Sequence, residues 1–397
     1  MPASLALAVA ALLLGSPATS TVSPTHVRVP AVAIGPGGDT AVAWEHVSSK
    51  RVVIEARVGR GPMALGSTQR FGTGARPRVA IGGDGSAALL WVAHGGRVMA
   101  SIARPGHPFG PAQTLERSAS PRAIVGAAIQ PSGRVVAAFT AGNGLEVALA
   151  RRRERFGAPR RLARVGFSPP SIALDPRDGA VIVAYPTRAK AGADAQAAVT
   201  TLTPTARAFT PPVLLTSAPT LEAAPTAIAG PGGAAVTISS TTVSLVRRGL
   251  DGRWSAPEPF AAQPDNSGKQ FPEFLTSPTA ALLADGSAVP AWFLQVYAPD
   301  VPDELLRGEA YAGGQLLTPA QGIASPPSAA AAGNDAFVVS AVDQGPVELF
   351  TRPAGASTFT PTILAAKGDG DAQLAAAGTH VLAAFQSADR LHLTLVR

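Results

Sequence analysis

The chain has no cysteine in 397 residues, so no disulfide staples it and no thiolate can act as nucleophile or metal ligand. Charge is scarce, with Asp, Glu, Lys and Arg together making up 15% of the chain, and aromatic residues only 5%. Beyond the N-terminus no stretch approaches the roughly 18 apolar residues that a membrane-spanning helix needs. The six histidines (His26, His46, His94, His107, His380 and His392) show no paired spacing. Asp369-Gly-Asp371 and Asp175-Pro-Arg-Asp178 lack the oxygen set of a calcium loop. Gly-Lys-Ser/Thr phosphate loops, Gly-x-Ser-x-Gly elbows and His-Glu-x-x-His helices are all missing. The sequence therefore offers no cofactor signature, no metal site and no recognisable catalytic set.

Glycine (41) and proline (37) are plentiful, which suits many short strands joined by turns rather than helices. The alanine-rich segments run only four to six residues before Gly, Pro or Asp ends them, too short for helices. The stretch Arg78-Val-Ala-Ile-Gly-Gly-Asp-Gly-Ser-Ala-Ala-Leu-Leu-Trp91 recurs along the chain. Its turn anchor is matched by Gly38, Gly85, Gly133, Gly179, Gly233, Gly286, Asn334 and Thr379. The spacing, roughly 45 to 54 residues, is that of a four-stranded propeller blade. Six positions beyond each anchor stand Trp44, Trp91, Phe139, Tyr185, Ser239, Trp292, Ser340 and Phe385. A second landmark, an aromatic followed by proline, recurs as Phe109-Gly-Pro111, Phe156-Gly-Ala-Pro159, Phe209-Thr-Pro211, Trp254-Ser-Ala-Pro257 and Phe359-Thr-Pro361, and marks the turn into an outer strand.

These repeats predict an all-β protein, a β-propeller of four-stranded blades with eight repeats, or seven if one repeat is misjudged. A sandwich gives no reason for similar tandem units, whereas radial stacking buries both faces of every sheet. Small first strands such as Ala31–Ile34 line the axis, bulky second strands pack between blades, and the third and fourth strands carry the polar residues. Thr21–Val29 is the expected closing strand beside the last repeat. Residues 1–20 read as an export signal, with the apolar run Leu5–Leu14 followed by small residues, although no Lys or Arg precedes it. Residues 21–397 then form one propeller domain that is secreted or held at the cell surface, with no membrane span.

The repeat resembles the secreted bacterial β-propellers that include sialidase-like and lectin-like members, most clearly in Gly249-Leu-Asp251-Gly-Arg-Trp254-Ser-Ala-Pro257. The Asp-box of that superfamily, roughly Ser-x-Asp-x-Gly-x-Thr-Trp, is not met, and its catalytic set of an arginine triad with a Tyr and Glu pair does not map onto this chain. The resemblance therefore implies the scaffold alone.

Function is expected where the repeats differ. Two long connections, one around Asp265, Asn266 and Lys269, the other carrying Tyr297, Asp300, Asp303, Glu304, Arg307 and Tyr311, fall on the top face, where blade-to-blade and second-to-third-strand loops emerge. Their mix of tyrosines, carboxylates, amide and cations suits a glycan or peptide. The leading expectation is a non-catalytic propeller that binds a glycan, an anionic cell-surface polymer or a partner protein. The alternative is a carbohydrate-active hydrolase or lyase using Asp300, Asp303, Glu304 or Glu309. The net charge is +7, with basic residues spread over successive repeats and densest in Arg151, Arg152, Arg153, Arg155, Arg160, Arg161 and Arg164 around Phe156. Without interleaved aromatics this cluster reads as the solvated edge of an outer strand, and no nucleic acid is expected as partner.

Overall fold

A computed structural model of the chain describes residues 19–397 apart from 24, 49–50, 118–124, 152–154, 165–169, 188–194, 217–220, 222, 241, 265–266, 268–272, 299–304, 319–323 and the side chain of Leu306. The described residues are antiparallel strands and turns. Six sheets have four strands, and a seventh has seven. In the seven-stranded sheet the 13-residue strand Gln69–Ile81 serves twice. Its first part pairs with Arg51–Gly59 as the outer strand of one unit; from Gly74 onward it pairs with Ala87–Ala93 as the inner strand of the next. The innermost strands, Val27–Ile34, Gln69–Ile81, Val125–Ile129, Ser171–Leu174, Thr226–Gly230, Glu273–Leu282, Ser328–Ala332 and Ala372–Ala377, each touch the next, and the last touches the first. The fold is a β-propeller, and dividing Gln69–Ile81 between its two units gives our count of eight blades.

The closing strand lies earlier than the sequence places it. Thr19–Thr21, not Thr21–Val29, pairs with the final strand Arg390–Leu395, joining Thr19 to Thr394, Ser20 to Leu393 and Thr21 to His392. Val27 onward already belongs to the first inner strand. Thr19 and Ser20 fall inside the segment read as an export signal, so a chain cut after residue 20 would lose two of these three pairs.

The second-strand aromatics are buried between blades, as their register with small residues requires; Trp44, Trp91, Phe139, Tyr185 and Phe385 are among the largest fully buried side chains. Where the repeat has serine instead, the hydroxyl is used. Ser239 Oγ donates to Leu275 O at 3.1 Å and Ser340 Oγ to Ser325 O at 3.3 Å. The third strands differ from expectation. They are largely buried, as in Arg97–Ala103 and Gln196–Leu202, because neighbouring blades cover both faces; the fourth strands are the exposed ones, as in Arg160–Arg164.

Adjacent blades are also stapled through backbone groups. Gln113 Nε2 donates to Phe156 O at 2.8 Å, and Phe156 N donates to Gln113 Oε1 at 2.9 Å. Gln69 grips Phe109 and Gln315 grips Phe359 in the same two-way fashion, each one blade onward. The aromatic landmark thus marks both a turn and a docking point. Replacing Gln113 by alanine strands a donor and an acceptor at the buried Phe156, so Gln113→Ala is expected to lower stability by about 1–3 kcal/mol. A denaturant midpoint indistinguishable from wild type would contradict it.

Candidate functional site

The mouth of the axis is built by proline-linked bulges. At Val29-Pro30, Arg76-Pro77 and Ser277-Pro278 the first residue takes a positive φ of 49°, 56° and 48°, unusual for non-glycine residues. The same three places interrupt the pairing register of the inner strands. One extra residue bends the strand and releases a backbone amide from the ladder. In the second blade that amide, Arg76 N, donates to Glu45 Oε1 of the first blade at 2.7 Å. Arg78 follows directly and enters the axial mouth.

A cavity of about 370 Å³ opens there, lined by Arg78 and Val79 and by the starts of the next three inner strands, including Gly126, Ile172 and Thr226. Small residues make the space. A Cβ on Gly126 would lie 2.6 Å from Ile172 Cγ2. Among the described residues the Arg78 guanidinium makes one hydrogen bond, from Nη1 to Pro77 O at 3.0 Å. Burial, and secondarily the charge of Arg76, pulls the Arg78 pKa down, while Asp371 and Glu45 act the other way. Arginine keeps its charge even so. Burial pushes the Glu45 carboxyl up, against the Arg76 amide and the charges of Arg28, Arg76 and Arg78. The mouth therefore holds a desolvated cation with donors to spare, the arrangement that grips a carboxylate or sulfate through paired N–H bonds.

Of the residues singled out in the sequence, Asp265, Asn266, Lys269, Asp300, Asp303 and Glu304 lie outside the described residues. Tyr297, Arg307 and Tyr311 are placed, and they divide between the two faces of the sixth blade. In the pairing of Ala288–Tyr297 with Leu305–Ala312, Trp292 stands opposite Tyr311, Leu294 opposite Glu309 and Val296 opposite Arg307. That face meets Phe260 and Val243 of the fifth blade. Tyr297 points the other way, donating to Gln295 Oε1 at 3.0 Å and meeting Phe274 edge-on at 5.8 Å.

On the fifth-blade side Tyr311 stacks on Trp292, with ring centroids 5.6 Å apart and planes 2° from parallel. Its hydroxyl donates to Glu309 Oε2 at 2.7 Å. Arg307 Nε lies 3.0 Å from Glu309 Oε1 as an ion pair, without hydrogen-bond alignment. Burial first, then the bond to Glu309, pushes the Tyr311 phenol up to about 12. A phenol held that high stays protonated at neutral pH and donates to the carboxylate. Glu309 is thus a buried anion neutralised by its neighbours between the fifth and sixth blades rather than an exposed acid.

Sequence reasoning missed Arg78, Glu45 and Asp371, which sit in three different blades. The signal was present in Arg76-Pro77-Arg78, where proline opens the inner strand beside two cations. Among the described residues no three histidine, aspartate or glutamate side chains converge as metal ligands, and no helix is long and apolar enough to cross a membrane.

No protein family profile matches the chain, and no curated protein sequence matches it. Among solved structures, the BP39L lectin of Burkholderia pseudomallei is 14% identical with a TM-score of 0.54, over 86% of this chain and 100% of that one. A PL25 ulvan lyase bound to a -[GlcA(1-4)Rha3S]- saccharide is 12% identical with a TM-score of 0.46, over 95% of each chain. The microbial sialidase Hz136 is 10% identical with a TM-score of 0.39, over 94% of this chain and 66% of that one. At these identities the likeness is one of fold.

Proposed function

We propose that the protein is an exported, non-catalytic β-propeller that binds a glycan at its axial mouth and recognises an acidic group on it through Arg78. The observation that carries this reading is the guanidinium sunk in a 370 Å³ cavity with, among the described residues, a single intramolecular hydrogen bond. A cavity of that size takes one or two sugar rings. The lectin, lyase and sialidase among the structural neighbours make a saccharide the first class to test. The described residues that line this cavity come from the second to fifth blades, so Tyr297, Arg307 and Tyr311 of the sixth blade stand outside the proposed contact.

Titration calorimetry with uronate-bearing oligosaccharides and their neutral counterparts tests the assignment. Arg78→Ala should weaken binding of the acidic sugar at least about tenfold, the loss of one charge-assisted contact, and leave the weaker neutral sugar nearly unchanged. Arg78→Lys should fall between, since it keeps charge but loses the fork. Undiminished binding by Arg78→Ala would contradict the site.

One observation favours a second reading, a glycoside-active propeller. Glu45 is a carboxyl raised by burial beside a cation, the condition of a general acid. Turnover of a bound oligosaccharide that is abolished in Glu45→Gln, with affinity kept, would select it.

A further inference from the structure

We propose a second ligand site on the opposite face of the propeller, a basic cavity between the second and third blades that takes an anionic saccharide, sulfated or uronate-bearing. The cavity has a volume of about 580 Å³ and lies where the third strand Arg97–Ala103 turns toward the fourth strand Gln113–Glu116, far along the blades from the axial mouth. Arg104, His107 and Arg155 line it, and among the described residues no carboxylate does.

The arginines here differ from several others on this face. Arg134 is committed to Gln130 Oε1 and to the carbonyls of Thr203, Pro204 and Ala206. Arg177 and Arg248 are tied to Asp175. By contrast, among the described residues the side chains of Arg104, His107 and Arg155 make no hydrogen bond or ion pair. Their placement is nonetheless fixed by the fold. Arg104 follows the bridge of Ala103 to Phe109, and Arg155 precedes the bridge of Phe156 to Ala150. The Gln113 staple holds the two turns together across the cavity floor.

The design repeats one blade earlier. A neighbouring cavity of about 340 Å³ between the first and second blades uses Arg60, which follows the bridge of Gly59 to Leu65, with Gln69 in the place of Gln113. It shares His107 and Pro108 with the first, and there too, among the described residues, the Arg60 side chain makes no hydrogen bond or ion pair. Asp39 lines this second cavity, which makes it the weaker anion site. Two basic cavities that share a wall present a row of donors to a chain carrying repeated negative groups.

A saccharide fits the lining better than a nucleic acid. Phe109 and Phe156 are 4% and 6% exposed, so neither ring is open for base stacking. The site is separate from the axial mouth and does not depend on it.

Fluorescence polarisation of the full protein tests the assignment with four labelled probes: a sulfated hexasaccharide, a uronate hexasaccharide, a neutral dextran hexasaccharide and a single-stranded DNA of matched charge. At low salt and in an Arg78→Ala background, which removes the axial contribution, Arg104→Ala/Arg155→Ala should weaken the anionic saccharides at least about tenfold, and Arg60→Ala should weaken them less. Because Arg104 and Arg155 hold nothing in place, the double variant should unfold at the wild-type temperature. Unchanged saccharide affinity in the double variant overturns the site. So does DNA binding that is as tight as the saccharides and lost in parallel, which would mark a general polyanion surface.

Discussion

Replacing Asp175 by alanine is expected to cost about 3–5 kcal/mol of stability, the penalty for leaving a buried cation without its partner. Asp175 is fully buried at the turn between the first and second strands of the fourth blade. Arg177 donates to it twice, from Nε at 3.0 Å and Nη2 at 2.8 Å, and Arg248 of the fifth blade reaches it from Nη1 at 2.8 Å. Arg177 also donates to Arg248 O at 2.8 Å, which locks the two blades together. Arg248 is itself 6% exposed. Without the carboxylate, its remaining acid partner is Asp178, which is 40% exposed and better screened by water. Asp175→Asn keeps one acceptor and should lose less.

The same network sets a pH dependence. Burial pushes the Asp175 carboxyl up, but the hydrogen bonds from Arg177 and Arg248 outweigh burial and hold it below its ordinary value. A carboxyl whose folded pKa is depressed contributes stability above its unfolded pKa of about 3.9 and loses that contribution as pH falls through the folded value. Chemical denaturation of wild type and Asp175→Asn should therefore differ most at neutral pH and converge below about pH 4. A loss under about 1 kcal/mol in Asp175→Ala, or a pH-independent difference, would mean the network is solvated.

Trp44→Ala should be comparably damaging, about 3–5 kcal/mol, because it opens a hole at the seam where the ring closes. Trp44 is fully buried with Val22, Val27 and Val42 against Leu382, Leu391 and Leu393 of the last blade. Its Nε1 donates at 3.1 Å to Glu55 Oε2, a buried carboxylate that also meets His46 Nδ1 at 3.0 Å and Arg70 Nε at 2.8 Å. Trp44→Phe keeps most of the volume but removes that donor, so it should cost about 1–3 kcal/mol. Amide exchange reports on the location. In Trp44→Ala, protection should fall first in Thr19–Thr21 and Arg390–Leu395, the strands that join the two ends. Equal losses in the two variants would show that packing at the seam matters little.

How far such features can be read from sequence depends on whether they repeat within a blade or arise between blades. The Trp44, Trp91 and Phe139 series was legible because one face of each second strand must be bulky and the spacing is fixed. The small inner strands were legible for the same reason, since the axis has no room. The burial of the third strands was not, because only the neighbouring blade covers them. Gln113 and Phe156 sit in different repeats, and nothing in either repeat announces their pairing. Arg78 carried no functional reading in the sequence, because it takes the bulge at Arg76-Pro77, set by pairing with the neighbouring strand, to turn it into the axis. The loops that attracted attention by length are partly placed, and they show Arg307, Glu309 and Tyr311 on one face of the blade and Tyr297 on the other, a division set by strand alternation rather than by loop composition.

The most direct measurement is a crystal structure of the protein with a uronate-bearing oligosaccharide. The expected result is a sugar carboxylate within hydrogen-bond distance of the Arg78 guanidinium, its ring against Ile172 and Thr226. Saccharide bound elsewhere on the molecule, with none at the axial mouth, would contradict it.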